Sequence, residues 1–287
     1  MIIWLLNLKI KYSKDDKNKI KRIISLIRPT VNLSAKITYL SPNNRLQGKK
    51  IIITGGGRGL GAAMAEKFIS EGAEVLITGR NEKSLKEVSD RLHCKYIVFD
   101  VSSFGEIHEF LKEADQALQG ANVLVNNAGI SLHEGNIFNV SLSQYDQQFN
   151  TNLKASYFLA QQFIEMYKKD KRTNGSVLFV SSERGSYVDD IPYGLTKAAI
   201  NSLTQSLAKL LIKDSIRINA VAPGVTASDM TGRVVGGSMY APQYATGRTY
   251  QPEEVAEVAC FLLSDASSCL SGQILVCNNG DSANTYK

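Results

Sequence analysis

From Lys49 onward, short runs of β-branched and apolar residues alternate with longer stretches in which apolar positions recur every three or four residues. Continuous apolar runs suit strands buried on both faces, and their alternation with helical stretches is the pattern of βαβ units around a parallel sheet. Seven strands are predicted, at 50–54, 74–78, 95–99, 122–125, 176–180, 216–221 and 273–276. Helices are predicted near 59–71, 82–92, 104–119, 142–169, 191–213 and 252–263. In the helix after Tyr193 the apolar stripe reads Ala199, Leu203, Leu207, Leu210 and Leu211. The stretch 226–250, rich in Gly, Ser, Thr and Tyr, is too long for a simple connection and reads as a lid over a substrate site.

The first 46 residues break this pattern. Ile20, Ile23, Ile24 and Ile27 recur at helical spacing among Lys17, Lys19, Lys21, Arg22 and Arg28, which predicts a short basic amphipathic helix closed by Pro29. The expected organisation is an extension over 1–46 and one domain over 47–287. Residues 1–50 hold twelve Lys/Arg against Asp15 and Asp16, which leaves 21 basic and 25 acidic residues for the rest. The net charge of +6 is therefore a property of the arm, and any attraction to a polyanion or a membrane surface concerns the arm alone. No nucleic-acid partner is expected of the domain. The isoleucine stripe needs cover. The expected cover is the domain itself or a neighbouring subunit of a homodimer or homotetramer, with a membrane surface the lesser alternative.

Composition adds exclusions. With 44% hydrophobic and 21% charged residues the chain is globular rather than disordered or fibrous. No window approaches the roughly 18 to 20 apolar residues that span a bilayer, and the opening MIIWLL is too short for a secretory core, so a cytoplasmic location is expected. Cys94, Cys260, Cys269 and Cys277 form no C-x-x-C pair and His93, His108 and His133 are scattered, so neither a disulfide framework nor a metal site is expected.

The chemistry begins at the end of the first strand. Thr54-Gly55-Gly56-Gly57-Arg58-Gly59-Leu60-Gly61 leads straight into an amphipathic helix, where glycines let a pyrophosphate approach backbone N–H groups at a helix N-terminus. A glycine-rich turn without a ligand is the alternative. Further on, Tyr193 and Lys197 are four apart on a helix and so share a face. An adjacent ammonium favours a phenolate, and a phenol tuned downward can exchange a proton with a substrate oxygen near neutrality. An ordinary surface pair is the alternative for these two residues taken alone.

The G-x-x-x-G-x-G spacing with Thr54 resembles the short-chain dehydrogenase/reductase family, and the resemblance recurs in order from about 47 to 280. It includes Asp100-Val101 after the third strand, Asn126-Asn127-Ala128-Gly129 after the fourth and Asn152 in the long helix. It continues with Ser182 after the fifth strand, the Y-x-x-x-K of Tyr193 and Lys197, Pro223-Gly224-Val225 after the sixth, and RTYQPEE over 248–254. The resemblance implies a single doubly wound (Rossmann) seven-stranded parallel sheet with helices on both faces. It also implies an oxidoreductase that interconverts a secondary alcohol and a carbonyl by hydride transfer with a nicotinamide cofactor. By resemblance, Tyr193 is the acid/base, Ser182 the hydrogen-bond donor to the reacting oxygen, and Asn152 the holder of a water that joins Lys197 to solvent. Thr54, Gly55, Gly57, Arg58, Gly59, Leu60, Gly61, Arg80, Asp100, Val101, Asn127, Ala128, Gly129, Tyr193, Lys197, Pro223, Gly224 and Val225 would contact the cofactor, with Asp100 at the adenine.

Two departures from the family pattern matter. Eleven positions separate Ser182 from Tyr193 where many members have thirteen, which keeps Ser181 as an alternative to Ser182. The intervening ERGSYVDDIP places Glu183, Arg184, Asp189 and Asp190 where small apolar residues are common, so either a polar substrate or a merely solvated loop is expected. At the end of the second strand, where members that use NAD carry a carboxylate for the ribose, stands Gly79. Arg58 and Arg80 flank that point and would suit a 2′-phosphate, so NADP(H) is expected over NAD(H), unrelated surface arginines being the alternative. The substrate is expected to be a small polar molecule, a sugar derivative or similar. A non-catalytic NADP(H)-binding scaffold on the same fold is the rival reading, and cofactor turnover separates the two.

Overall fold

The computed structural model describes residues 43–233, 237–241, 243, 244 and 246–281. The amphipathic helix expected near residues 17–28 lies outside the described residues, as does part of the stretch read as a lid. In chain order the elements are β1 (Lys50–Thr54), α1 (Gly59–Ser70), β2 (Glu74–Gly79), α2 (Glu82–Leu92), β3 (Lys95–Val98), α3 (Ile107–Leu118) and β4 (Val123–Asn126). They continue with α4 (Leu142–Gln148), α5 (Ala155–Lys169), β5 (Gly175–Val180), α6 (Pro192–Leu210), β6 (Ile216–Pro223), α7 (Pro252–Leu263) and β7 (Ile274–Cys277). Every predicted strand is present.

The seven strands form one sheet in the order β3-β2-β1-β4-β5-β6-β7 with every pairing parallel. The chain therefore winds outward twice from the centre, and β1 and β4 meet at the reversal, where a crevice opens beyond the strand ends. Alternate residues of β1 explain the two cores. Ile52 packs with α3, α5 and α6 on one face, whereas Ile51 and Ile53 pack with α1, α2 and α7 on the other. Among the described residues no helix is long and apolar enough to cross a membrane.

Three expectations are corrected. The helix predicted over 142–169 is α4 and α5 joined by a π-helical turn, Phe149–Lys154, that contains Asn152. On α6 the deepest line is Ile200, Thr204 and Ala208, continued by Leu211 just past the helix end, whereas Leu210 is 72% exposed. Thr204 escaped a reading based on hydrophobicity because its polarity is cancelled locally: its hydroxyl donates to the Ile200 carbonyl at 2.8 Å. The third concerns the extension. Leu46 is fully buried, its N–H donates to the Glu71 carbonyl at 2.9 Å, and Arg45 forms ion pairs with Glu71 and Glu257. The contacts of the domain thus begin by Arg45, since a leucine that leaves water stabilises the fold by about 2 kcal/mol. The Arg45 guanidinium holds the buried Glu71 carboxyl down at about 2.

Candidate active site

The strand ends at the centre of the sheet bring the sequence-predicted residues together. Lys197 rises from α6 and is 4% exposed, and its ammonium donates to the Val180 carbonyl at the end of β5 at 2.7 Å. Burial lowers its pKa to about 8. Its Nζ lies 5.7 Å from the centre of the Tyr193 ring, one helical turn earlier on the same face. Pro192 at the start of α6 fixes the entry into the helix, so Tyr193 falls in its first turn.

The phenol of Tyr193 is raised above its ordinary value, chiefly by burial, while a hydrogen bond with Ser182 and the charge of Arg184 pull the other way. The protein's own groups alone do not produce the lowering expected of the Lys197 ammonium together with the positive nicotinamide of an oxidised cofactor. Through the protein's own groups, then, Tyr193 is held as a neutral phenol and Lys197 is eased toward its neutral amine.

The two serines separate by direction. The Ser181 hydroxyl points into α6, bonding the Asn201 side chain at 2.6 Å and the Lys197 carbonyl at 3.2 Å. That of Ser182 accepts the Arg184 N–H at 3.3 Å across a short 3-10 turn, Glu183–Ser186, and lies beside the Tyr193 phenol. Two residues side by side on an extended chain point to opposite faces, which is why only one of them reaches the phenol.

Asn152 is 1% exposed and its amide clamps Ile130, accepting from the Ile130 N–H at 2.8 Å and donating to the Ile130 carbonyl at 2.9 Å. It also donates to the Thr196 hydroxyl at 3.3 Å, and that hydroxyl in turn donates to the Tyr193 carbonyl at 2.7 Å. The side chain of Asn152 thus shapes the loop after β4. Thr196, fully buried, links Asn152 to the tyrosine turn and was missed by the sequence reading; its place three residues after Tyr193 on the helix was the available signal. A methyl group added to Gly129 would lie 3.3 Å from Asn152 Oδ1 and 3.6 Å from Lys197 Nζ, so these two polar groups converge on Gly129.

At the end of β1 the Thr54 hydroxyl accepts the N–H groups of Asn127 and Ala128 at 3.0 Å each, and the Asn127 amide donates to the Thr54 carbonyl at 2.9 Å. This stitches the glycine turn to the segment after β4. Gly55 has a left-handed φ of +67°, and a methyl group on Gly61 would fall 2.2 Å from the Gly55 carbonyl oxygen. Only glycine allows the first turn of α1 to approach that closely.

A family model described as enoyl-(acyl carrier protein) reductase matches residues 55–282. The 3-oxoacyl-[acyl-carrier-protein] reductase FabG of Aquifex aeolicus is 34% identical over 247 residues, covering 82% of this chain and 98% of that protein. The chain belongs to the short-chain dehydrogenase/reductase family. Two solved relatives agree in fold. A 3-ketoacyl-(acyl-carrier-protein) reductase from Brucella melitensis complexed with NADH has a TM-score of 0.76 at 26% identity, covering 83% of this chain and 99% of that one. A short chain dehydrogenase from Burkholderia cenocepacia in complex with NADP has a TM-score of 0.74 at 27% identity, covering 84% and 100%. The chain is accordingly a nicotinamide-dependent oxidoreductase of CH–OH and carbonyl groups.

Against the family background, the segment after Ser182 is less ordinary. It is partly solvated and partly buried: Glu183 is 7% exposed and the Asp189 side chain 4%, whereas Tyr187, Val188 and Asp190 are exposed. Glu183 accepts from the Asn278 amide at 2.8 Å, and burial raises its carboxyl above the usual range. The contact ties the serine turn to the segment after β7, a partnership between residues 95 positions apart that no local spacing announces. Arg58 is largely exposed and pairs with Asp229 of the loop after β6 at 2.8 Å. Arg80, also exposed, lies 3.9 Å from Asp100, whose carboxylate accepts from Ser102. Arg248 is held by Glu254 at 2.7 Å, and Glu254 also caps the first turn of α7 through the Gln251 N–H.

Proposed function

We propose that this short-chain dehydrogenase/reductase interconverts a secondary alcohol and a carbonyl on a small polar substrate with NADP(H), using Tyr193 as the acid/base. The observation that carries the reading is the convergence of Tyr193, Lys197 and the Ser182 hydroxyl at the end of β5, with Lys197 Nζ 5.7 Å from the phenol ring. The residues at the β1–α1 turn fit a dinucleotide. The first turn of α1 has no acidic side chain and Arg58 makes no side-chain cap, so its N–H groups stay open to an anion. The buried side-chain amide of Asn126, at the neighbouring strand end, has no hydrogen-bond partner among the described residues. Thr54, Gly55, Gly57, Arg58, Gly59, Leu60 and Gly61 would hold the pyrophosphate side. Arg80, Asp100 and Val101 would hold the adenosine end, and Asn127, Ala128, Gly129, Pro223, Gly224 and Val225 the nicotinamide end.

When bound, the nicotinamide supplies or accepts the hydride. In the direction of reduction, Tyr193, kept protonated by burial, donates its phenolic proton to the carbonyl oxygen, and the Ser182 hydroxyl bonds the same oxygen as charge develops there. Lys197 resupplies the proton through the face it shares with Tyr193. A pKa near 8 leaves it able to give up a proton close to neutrality, which an ordinary lysine does not do. Asn152 and Thr196 hold the loop after β4 and the tyrosine turn in register. The preference for NADP(H) is supported by Gly79, where no carboxylate opposes a 2′-phosphate, and by the exposed guanidinium groups of Arg58 and Arg80. One similar structure is complexed with NADH and the other with NADP, so this preference rests on the residues of this chain. The test is Tyr193→Phe. It should retain NADPH binding, followed by fluorescence, and lose carbonyl reduction by two or more orders of magnitude. A phenylalanine variant that keeps most of the rate would overturn the assignment.

A further inference from the structure

Arg184 is the second residue after Ser182, and its backbone N–H bonds the Ser182 hydroxyl at 3.3 Å. Its guanidinium is fixed at two points: Nε donates to Asp189 Oδ2 at 2.6 Å and Nη2 donates to Asp189 Oδ1 at 2.8 Å. Asp189 is itself locked, because it accepts the Ile191 N–H at 3.2 Å and packs against the first turn of α6, where a methyl group on Gly194 would lie 1.9 Å from its Oδ2. The fork is therefore aimed by a buried carboxylate seated against the residue that follows Tyr193. One edge of it remains free, since the Arg184 side chain is 43% exposed and Nη1 has no partner among the described residues. Its charge is felt at the phenol of Tyr193. Of the other arginines near the strand ends, Arg248 is held by Glu254 through both terminal nitrogens, and Arg58 and Arg80 stand at the turn read above as the cofactor site.

A guanidinium keeps its planar set of donors when one carboxylate occupies two of them, and a fork already ordered loses little entropy on taking a second anion. A pairing made for stability alone would be better served by two exposed partners or by an apolar pair, because a buried charge costs desolvation that the ion pair only offsets. We propose that Arg184, oriented by Asp189, is the anion-recognition residue of the substrate site, and that the substrate is a carbonyl compound carrying a carboxylate or phosphate group. This rests on the alcohol/carbonyl reading above and specifies which polar substrates that site prefers.

The test follows NADPH oxidation with two matched pairs, acetoacetate against its methyl ester and dihydroxyacetone phosphate against dihydroxyacetone. The charged member of one pair should be reduced with a kcat/KM at least about tenfold above its neutral partner, and which pair shows this distinguishes carboxylate from phosphate. Because Arg184→Met alone leaves Asp189 buried and unpaired, the double variant Arg184→Met/Asp189→Asn is used beside it, with unchanged NADPH affinity as the check on folding. Both should raise KM for the charged member about tenfold or more relative to the neutral member, and Arg184→Lys should recover part of the loss. Equal reduction of both members of both pairs by the unmodified enzyme overturns the proposal, as does a variant that loses the charged and neutral members alike. A failure of the underlying reading looks different: none of the four compounds is reduced. Binding then decides. Acetate or inorganic phosphate should raise the Tm of the NADP-bound enzyme and leave that of the double variant unmoved, and no shift in either protein overturns the proposal.

Discussion

Replacing Lys197 with methionine separates what the buried amine costs the fold from what it contributes to chemistry. The lysine is 4% exposed and burial alone lowers its pKa from 10.5 to about 8. At about 1.4 kcal/mol per pK unit, holding it charged in the native state at neutral pH costs about 3 kcal/mol. The sign follows from proton counting. Between pH 8 and 10.5 the unfolded chain binds the proton and the native chain has released it, so native stability rises with pH across that window. Below about pH 8 both states are protonated and the full cost stands. Lys197→Met removes the charge but leaves the Val180 carbonyl without its 2.7 Å donor, a loss of about 1 to 3 kcal/mol. At pH 7 the two effects nearly offset or slightly favour the variant. By pH 10 the unmodified protein should have gained about 2 to 3 kcal/mol on it. Urea unfolding of both proteins at intervals from pH 7 to 10 measures this, and the Tyr193 phenol, protonated in both states over most of that range and common to both proteins, adds little to the difference. Parallel stability curves across that range would refute the view that Lys197 is a desolvated amine with a pKa near 8. Carbonyl reduction should be lost in the variant throughout.

Gly79→Asp should move cofactor preference toward NADH by about tenfold or more, because a side chain there meets only Leu85 at 3.7 Å and a carboxylate would oppose a 2′-phosphate; Arg80→Ala should act in the same direction, and steady-state kinetics with both cofactors would show it. Gly61→Ala should weaken NADPH binding and lower Tm, because the added methyl group would sit 2.2 Å from a backbone oxygen that has no room to give. A chain truncated to begin at Asn43 should bind NADPH like the full-length protein while showing altered oligomer size in sizing chromatography. One beginning at Gln47 should lose about 2 to 5 kcal/mol of stability in urea, because it lacks Leu46 and the Arg45 ion pairs. Equal stability of the two truncated chains would show that these contacts contribute nothing.

What the sequence determined by itself was everything carried by short-range repetition. The seven strands and their alternation with helices follow from apolar runs and helical periods, which act within ten or so residues and dictate a buried parallel sheet wherever they recur. The glycine turn and the Tyr193/Lys197 spacing were equally readable as local backbone and helix-face requirements, whereas Asn126-Asn127-Ala128-Gly129 was legible only through the family resemblance. Only the tertiary structure decided the rest, and in each case the cause is a partner remote in sequence. The different partners of the Ser181 and Ser182 hydroxyls depend on Asn201, which takes up the first. The π-helical turn at Asn152 goes with the two-way clamp of that side chain on Ile130, 22 residues earlier, and hydrophobic periodicity does not register a one-residue change of winding. The inclusion of Arg45 and Leu46 in the domain depends on Glu71 and Glu257. The direction of the Tyr193 shift could not be read from an i, i+4 pair, since spacing reports which charges are near but not how much water the fold removes, and here the removal of water outweighs the neighbouring charges.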